Sequence, residues 1–470
     1  MKKLVLVNPW KMIYPPLGLG YIASYLDKYL KSINIEIIDS SENLKEKIIR
    51  SRPDVLGFTS STPNYFEVVD LIKEVKKCLD VPIILGGPHI TSLPHKLSEH
   101  VDVGVIGEGE ETMLELMKLF DEKGDFANSE LQKIKGIVYH DNGENIITPP
   151  RELIEPIDKI PFPNRSLFDM SNYLRPADIL VNHEYLRGTS MLTSRGCPYR
   201  CIYCQVPQQW RKLRLHSAEY VAREIKLLVD EYKLEGIAIV DDLFIVNTER
   251  IERLIELLEE YEILGKVKFL VDGRSNLIDE KLLALLKRLN VVQMALGIES
   301  GSERVLNYLK RGSVTAEQNR NAVHLAKKYG IGIYGQFMMG TPTETKEEML
   351  ETLKFIREQP LRSVHLSITT PLPGSELWDY CKKEGIVTDD MDWRLFNMEP
   401  QDSVENNFYI DKQVPYEEFL NIFRQTQRQI KYKHLRNTPL KTLYKNGKYA
   451  ILHPMRTCKF VYRFLRKSYR

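Results

Sequence analysis

Apolar residues fall in short, nearly unbroken runs along the first part of the chain: LVLVNP (4–9), INIEIIDS (33–40), DVLGFTS (54–60), VPIILGG (81–87) and DVGVIGEG (102–109). Runs this short, β-branched and continuous predict strands covered on both faces, as in a parallel sheet. Between them lie stretches with helical periodicity, around Leu19–Lys31, Leu44–Arg50, Tyr65–Leu79 and Glu110–Asp121. Alternation of this kind predicts an α/β, doubly wound (Rossmann-like) domain whose ligands sit beyond the carboxyl ends of its strands.

A second series follows a short strand in SMLTSRGCPYRCIYCQVP (190–207). Its apolar runs are GIAIVDD (236–242), KVKFLVDG (266–273), VVQMALGIES (291–300), GIGIYGQFMMG (330–340) and SVHLSITTPLPG (363–374). Helical segments around Ala218–Tyr232, Glu249–Leu258, Glu280–Leu289, Thr315–Tyr329 and Lys346–Gln359 separate them, and Thr315-Ala-Glu-Gln318 reads as a capping box. Six β/α units predict a partial (β/α)6 barrel of the TIM type, with its polar groups at the carboxyl ends of the strands. The resulting division is 1–135, a Pro-rich connector at 136–187, the barrel at 188–375, and a carboxyl-terminal region at 376–470. In that last region WDYCKKEGIV and DDMDWRLFNMEP predict a helical lid over the barrel mouth.

Composition changes the picture in two places. The net charge of +2 hides an asymmetry: Arg424–Arg470 holds 14 Lys and Arg and no Asp or Glu, leaving 52 basic against 64 acidic groups before it. An anionic partner would therefore meet the tail. Its cations are interleaved with Tyr444, Tyr449, Phe460, Tyr462, Phe464 and Tyr469, so an anionic membrane surface, a polyanion such as RNA, and a solvated tail all stay open. The chain has no long apolar span and no signal-peptide pattern, which predicts a cytoplasmic protein, with the inner membrane surface as the tail's alternative site.

Six cysteines are too few for a disulfide scaffold. Cys78, Cys381 and Cys458 are scattered and read as small buried hydrophobes. Cys197, Cys201 and Cys204 instead form C-x3-C-x2-C. Zinc sites pair CxxC units with a fourth Cys or His at a similar remove; here no fourth cysteine is near, and His216 is the only close imidazole. Three ligands on a four-iron cluster leave one iron open. No GxGxxG follows the first strand and no GxxxxGK[ST] occurs, so nicotinamide and ATP readings have no motif behind them.

With aromatic Tyr203 before the last cysteine, CxxxCxΦC is the pattern of radical S-adenosylmethionine (SAM) enzymes, which this chain resembles. The succession PPLGLGYIASYL, GFTSSTPN, ILGGPHIT and DVGVIGEGEET resembles the amino-terminal domain of their cobalamin-binding branch. The resemblance implies a 4Fe–4S cluster on Cys197, Cys201 and Cys204. It implies SAM contacts at Tyr203, Asp241, Asp242, Arg274, Glu299, Ser300, Gln336 and Gly340. It implies cobalamin contacts at Leu17, Gly18, Thr59, Ser60, Ser61, Gly86, Gly87, Pro88, His89, Gly107, Glu108 and Gly109. The Asp-x-His-x-x-Gly motif of other corrinoid proteins is absent, so no axial histidine is expected from it.

The implied activity is a cobalamin-dependent methyltransferase. It would move a methyl group from methylcobalamin to an unactivated carbon after a 5′-deoxyadenosyl radical has abstracted hydrogen. Cyclisation, rearrangement or oxidation on the same scaffold is the alternative within the family, and a metal- or corrinoid-binding sensor the alternative outside it. A tRNA methylthiotransferase would need further cluster cysteines in the first domain, which offers only Cys78. The expected partners are a small, hydrophobic or lipid-like substrate and an electron donor such as flavodoxin or ferredoxin. Nucleic acid is not expected, since no RNA-binding module accompanies the tail. No catalytic residue is singled out.

Overall fold

The computed structural model describes residues 1–10, 13–40, 42–174, 179–181, 184–396 and 408–437. Cys458 and the tail aromatics from Tyr444 onward lie outside the described residues.

The first sheet has seven strands: β1 (Lys2–Asn8), β2 (Ile33–Asp39), β3 (Val55–Thr59), β4 (Ile83–Gly86), β5 (Val103–Val105), β6 (Ile137–Asp141) and β7 (Glu144–Ile147). Their spatial order is β2-β1-β3-β4-β5-β6-β7, with the first five parallel. The continuous apolar run of β1 serves two cores at once. Leu4 and Leu6 join one hydrophobic cluster while Val5 and Val7 join another, because successive side chains leave opposite faces of the sheet. Helices Leu17–Tyr29 and Glu110–Lys123 contribute to the first cluster and Tyr65–Lys76 to the second. The strand order reverses between β1 and β3, the place where such sheets open a crevice at their carboxyl ends.

The sheet runs twelve residues past position 135, where the sequence placed the connector. Strands β6 and β7 form an antiparallel hairpin around Asn142-Gly143, both in the left-handed region (φ +48° and +85°). Asn-Gly is a hairpin turn signal because both of its residues accept positive φ.

The barrel sheet has six parallel strands in chain order: Gly188–Met191, Gly236–Ile239, Lys268–Gly273, Val291–Glu299, Gly332–Met339 and Ser363–Ile368. The fifth alternates strictly: Ile333, Phe337 and Met339 are buried in the main hydrophobic cluster, while Tyr334, Gln336 and Met338 stay partly exposed. The capping box at Thr315 and Gln318 is present. Beyond residue 147 the connector crosses both sheets. Ser24 Oγ donates to Phe162 O on the first domain, and Arg165 pairs with Glu224 of the barrel at 2.7 Å, both buried.

The carboxyl-terminal region, expected as a lid, divides in two. Helix Glu376–Lys383 and the segment to Phe396 bury Trp378, Cys381, Trp393 and Phe396 in the first domain's second cluster. Helix Tyr416–Asn437 places Phe419, Leu420, Ile422 and Phe423 in the cluster shared with barrel helix Lys346–Glu358. Cys381 is fully buried, but Cys78 is exposed just after helix Tyr65–Lys76, which corrects its reading as a buried hydrophobe. Among the described residues no helix is long and apolar enough to cross a membrane.

Candidate active site

At the carboxyl ends of β1 and β3–β5 a cavity of about 770 Å³ opens. Ten of the twelve residues expected there line it: Gly18, Thr59, Ser60, Ser61, Gly86, Gly87, Pro88, Gly107, Glu108 and Gly109. The chain reaches this shape through glycine. Gly87 has φ +105°, and a Cβ there would lie 2.4 Å from Ser60 O, so no other residue fits without moving the β3 loop. The buried hydroxyls of Ser60 and Tyr21, two lining residues, have no hydrogen-bond partner among the described residues. A cavity of this volume with orphaned donors and close backbone suits a large polar ligand such as a corrinoid.

Two expected contacts are placed elsewhere. Leu17 is buried with Tyr25, Ile154 and Ile157. His89 is fully buried, stacked on Tyr65 at 3.9 Å and edge-on to Trp393, with Nδ1 3.3 Å from Thr62 Oγ1. Burial pushes its pKa down to about 3. The short helix Pro88–Ser92 turns the ring into the apolar core, where a neutral imidazole stacks better than it would serve the cavity.

The cysteine loop begins at the end of the first barrel strand. Ser194–Arg195 pairs antiparallel with Arg214–Leu215, and Gly196 (φ +91°) follows, where a Cβ would meet Lys212 O at 2.5 Å. Cys197, Cys201 and Cys204 are all partly exposed. Burial raises the pKa of Cys197, and that of Cys204 to about 12, so both thiols keep their protons until a coordinating metal displaces them. Arg274 Nη1 lies 3.4 Å from Cys201 Sγ, with the guanidinium 3.8 Å above the Tyr199 ring. Among the described residues no three Cys, His, Asp or Glu side chains group tightly enough for a single metal ion. His216 is engaged with Asp158 Oδ1 at 2.8 Å and stacked on Tyr220, so it is not a fourth ligand. Three thiols around one loop, a guanidinium beside the middle one and no fourth ligand fit a cluster with an open corner.

The other expected residues gather around this loop in unequal ways. Asp241 is buried and turned into the protein: Thr193 N (2.6 Å), Thr193 Oγ1 and Ser194 N (3.1 Å) all donate to it. Asp242 accepts from Gly196 N at 3.1 Å and remains accessible. Burial raises the pKa of both. Tyr203 Oη donates to Glu299 Oε1 at 2.6 Å, and Lys310 Nζ stands 3.1 Å from the same oxygen. Glu299 reaches them from a left-handed backbone (φ +64°), beside Gly297, where any Cβ would strike its carboxylate. Ser300 is fully buried and bonds Thr352 and Ser302 N, so it braces the loop against helix Lys346–Glu358 and does not face the open side. Gln336 stands across from Gly297 on the partly exposed face of the fifth strand. Gly340 N donates to Glu344, which burial pushes up to about 8.

Residues the sequence reading passed over complete the site. Leu192, Arg195, Gln209 and Trp210, from either side of the cysteines, line the first-domain cavity. Arg195 lies two positions before Cys197, a signal present but unread. Asp272, at the end of the third strand, has its pKa lifted to about 7 by burial and by the charges of Asp241 and Asp242. Lys310 ends helix Glu303–Lys310.

Residues 191–356 match the family model of the radical SAM superfamily and residues 3–117 that of the B12 binding domain. The chain is 33% identical over 393 residues to an uncharacterised methyltransferase of Pyrococcus horikoshii, covering 81% of each. It is 29% identical to an anaerobic magnesium-protoporphyrin IX monomethyl ester cyclase of Rubrivivax gelatinosus (78% of this chain, 66% of that one). It is 26% identical to cytidylyl-2-hydroxyethylphosphonate methyltransferase of Streptomyces wedmorensis (86% of each). In fold it is similar to the radical SAM methyltransferase TsrM of Kitasatospora setae with cobalamin and a 4Fe–4S cluster bound (TM-score 0.69, 18% identity, 92% and 89% covered). It is also similar to OxsB with aqua-cobalamin and SAM bound (TM-score 0.70, 18% identity, 97% and 76% covered).

Proposed function

This chain belongs to the cobalamin-binding radical SAM enzymes, and we propose that within them it is a methyltransferase acting on an unactivated carbon of a small, hydrophobic substrate. The observation that carries this reading is the junction of the two sites: residues flanking the cysteines, Arg195 and Trp210, form part of the cavity wall of the first domain. When bound, the cluster supplies an electron to SAM and cobalamin supplies a transferable methyl group.

The chain's own residues would bind, orient and exclude water. Cys197, Cys201 and Cys204 hold the cluster. Asp242, the accessible member of the acidic pair, takes the SAM ammonium, while Asp241 keeps the loop in shape. Arg274 neutralises charge at Cys201 and offers its Nε, which has no partner among the described residues, to the SAM carboxylate. Glu299, fixed by Tyr203 and Lys310, accepts from the ribose, and Gln336 with the Gly340 loop borders the adenine. Thr59, Ser60, Ser61 and the Gly86-Gly87 and Gly107–Gly109 loops cradle the corrinoid. Holding both reactants against one substrate is the protein's main contribution to rate.

Helix Tyr416–Asn437 exposes Arg428, Lys431 and Arg436 beside Tyr432 and Leu435. With the basic sequence that follows, this supports contact with an anionic membrane surface that would hold a lipid-like substrate. A one-electron donor of the flavodoxin or ferredoxin class would complete the system.

The test is anaerobic purification with cobalamin supplied, followed by iron, sulfide and corrinoid analysis and product mass after addition of SAM and reductant. A product heavier by one CH2, a methyl group in place of a hydrogen, is expected. SAM cleavage with bound corrinoid but without methyl gain would move the protein to cyclisation or oxidation chemistry.

A further inference from the structure

We propose that Arg195 is a positioning residue through which the first-domain cavity and the cysteine loop bind their cofactors cooperatively. The inference rests on the cofactor assignment above and goes beyond it.

Arg195 is held from the first domain by two carboxylates of the Gly107–Glu110 loop. Its Nη1 lies 2.7 Å from Glu108 Oε1, and its Nη2 bonds Glu110 Oε1. Glu108 also takes both terminal nitrogens of Arg214, at 2.7 and 2.9 Å. Arg214 is the residue paired with Arg195 in the short antiparallel ladder. All four side chains are 3–8% exposed. Two guanidiniums and two carboxylates balance in charge, and each is stable in the interior only while the others stay in place.

This cluster belongs to both sites at once. Glu108, Glu110 and Arg195 line the cavity, as do Tyr21 and Trp210, whose rings lie 5.3 and 5.4 Å from the guanidinium. On the other side only Gly196 separates Arg195 from Cys197. That glycine sits against Lys212 O with no room for a Cβ, so the link has little slack. A ligand filling the cavity confines Arg195 and through it the loop. A cluster assembled on the loop confines Arg195 and through it the cavity wall. Each binding event completes part of the ordering the other requires, and the coupling is reciprocal.

The experiment titrates hydroxocobalamin against the full-length chain under anaerobic conditions, once with the cluster reconstituted and once after its removal by chelation. Kd is read from the corrinoid absorbance of bound and free fractions. The expected result is affinity about 5–50-fold tighter with the cluster in place, and a difference below about twofold between the two forms of Glu110→Gln and of Arg195→Lys, whatever their absolute affinity. Lysine keeps the charge but not the two-armed fork, so it carries the test if the glutamine variant does not fold. Equal affinities for the two forms of the wild-type chain would overturn the coupling alone. A difference that survives both substitutions would overturn the assignment to Arg195. Failure of both forms of the wild-type chain to bind cobalamin would overturn the cofactor assignment, and this inference with it.

Discussion

The first-domain cavity and the cysteine loop meet at one wall, yet they are built in opposite ways. The cavity is made by what is left out: Gly18, Gly86, Gly87, Gly107 and Gly109 line it, and the hydroxyls of Ser60 and Tyr21 have no partner among the described residues. The loop is made by what is put in. Asp241 receives three hydrogen bonds, Arg274 stacks on Tyr199 and bonds Cys201, and Glu299 is fixed from two sides. The first is a mould for a large ligand that brings its own contacts; the second is prearranged around a small reactive centre. Substitutions should therefore harm the cavity through bulk and the loop through lost partners.

The largest effect tests the loop outright. Cys201→Ala should reduce bound iron, sulfide and SAM cleavage to background, while Cys78→Ala, exposed beyond helix Tyr65–Lys76, should leave all three unchanged. Equal losses would remove the distinction between cluster and bystander cysteines. Next comes Asp241→Ala, which strands the buried N–H groups of Thr193 and Ser194. Chemical denaturation should show a loss of about 2–4 kcal/mol, together with lower cluster occupancy. A loss under about 1 kcal/mol would mean the loop does not depend on its partners.

The cavity side is sharpened by a pair of glycines. Gly87→Ala forces a Cβ onto Ser60 O from a left-handed backbone, at a cost of about 1–3 kcal/mol, and should lower cobalamin affinity at least about tenfold, or 1.4 kcal/mol. Gly18 lies in helix Leu17–Tyr29 with nothing within 4 Å of its would-be Cβ. Gly18→Ala should leave stability unchanged or raise it by about 0.5–1 kcal/mol while still weakening cobalamin. Unchanged binding in both variants would show that bulk does not govern this site.

A last effect, on stability alone, is a pH dependence in the barrel. Glu344 caps Gly340 and Thr341 from a buried position that lifts its pKa from 4.5 to about 8. The folded chain then holds a proton that the unfolded chain releases above about pH 4.5, so this group's contribution to stability declines as pH rises toward 8, by up to about 1.4 kcal/mol per pH unit. Glu344→Gln has no such proton to lose, and its Tm should gain on the wild type between pH 5 and 8. Parallel Tm curves would contradict the buried, protonated state.

Much of this molecule is legible without coordinates where the signal is local. The helix expected at Ala218–Tyr232 is observed with those ends, because Ser217 caps it by accepting from Tyr220 N and apolar residues recur on one face. Ten of twelve expected cavity residues line the cavity because strand ends in this topology converge by rule. The failures share a cause too. His89 sits in the right loop, but it is stacked inward on the Tyr65 ring, a partner 24 positions earlier that no pattern near position 89 encodes. Ser300 follows a residue that faces the site, yet it packs under helix Lys346–Glu358, more than 40 residues ahead.

The sequence by itself determined the two sheets, their order along the chain and the open-cornered cysteine motif, since periodicity and spacing act over a few residues and need no distant partner. Only the tertiary structure decided which charges meet. Glu108 and Arg195 stand 87 positions apart, and Glu110 and Arg195 stand 85 apart. A buried charge is settled by whichever opposite charge the packed chain brings within hydrogen-bond reach, a distance that no local pattern records.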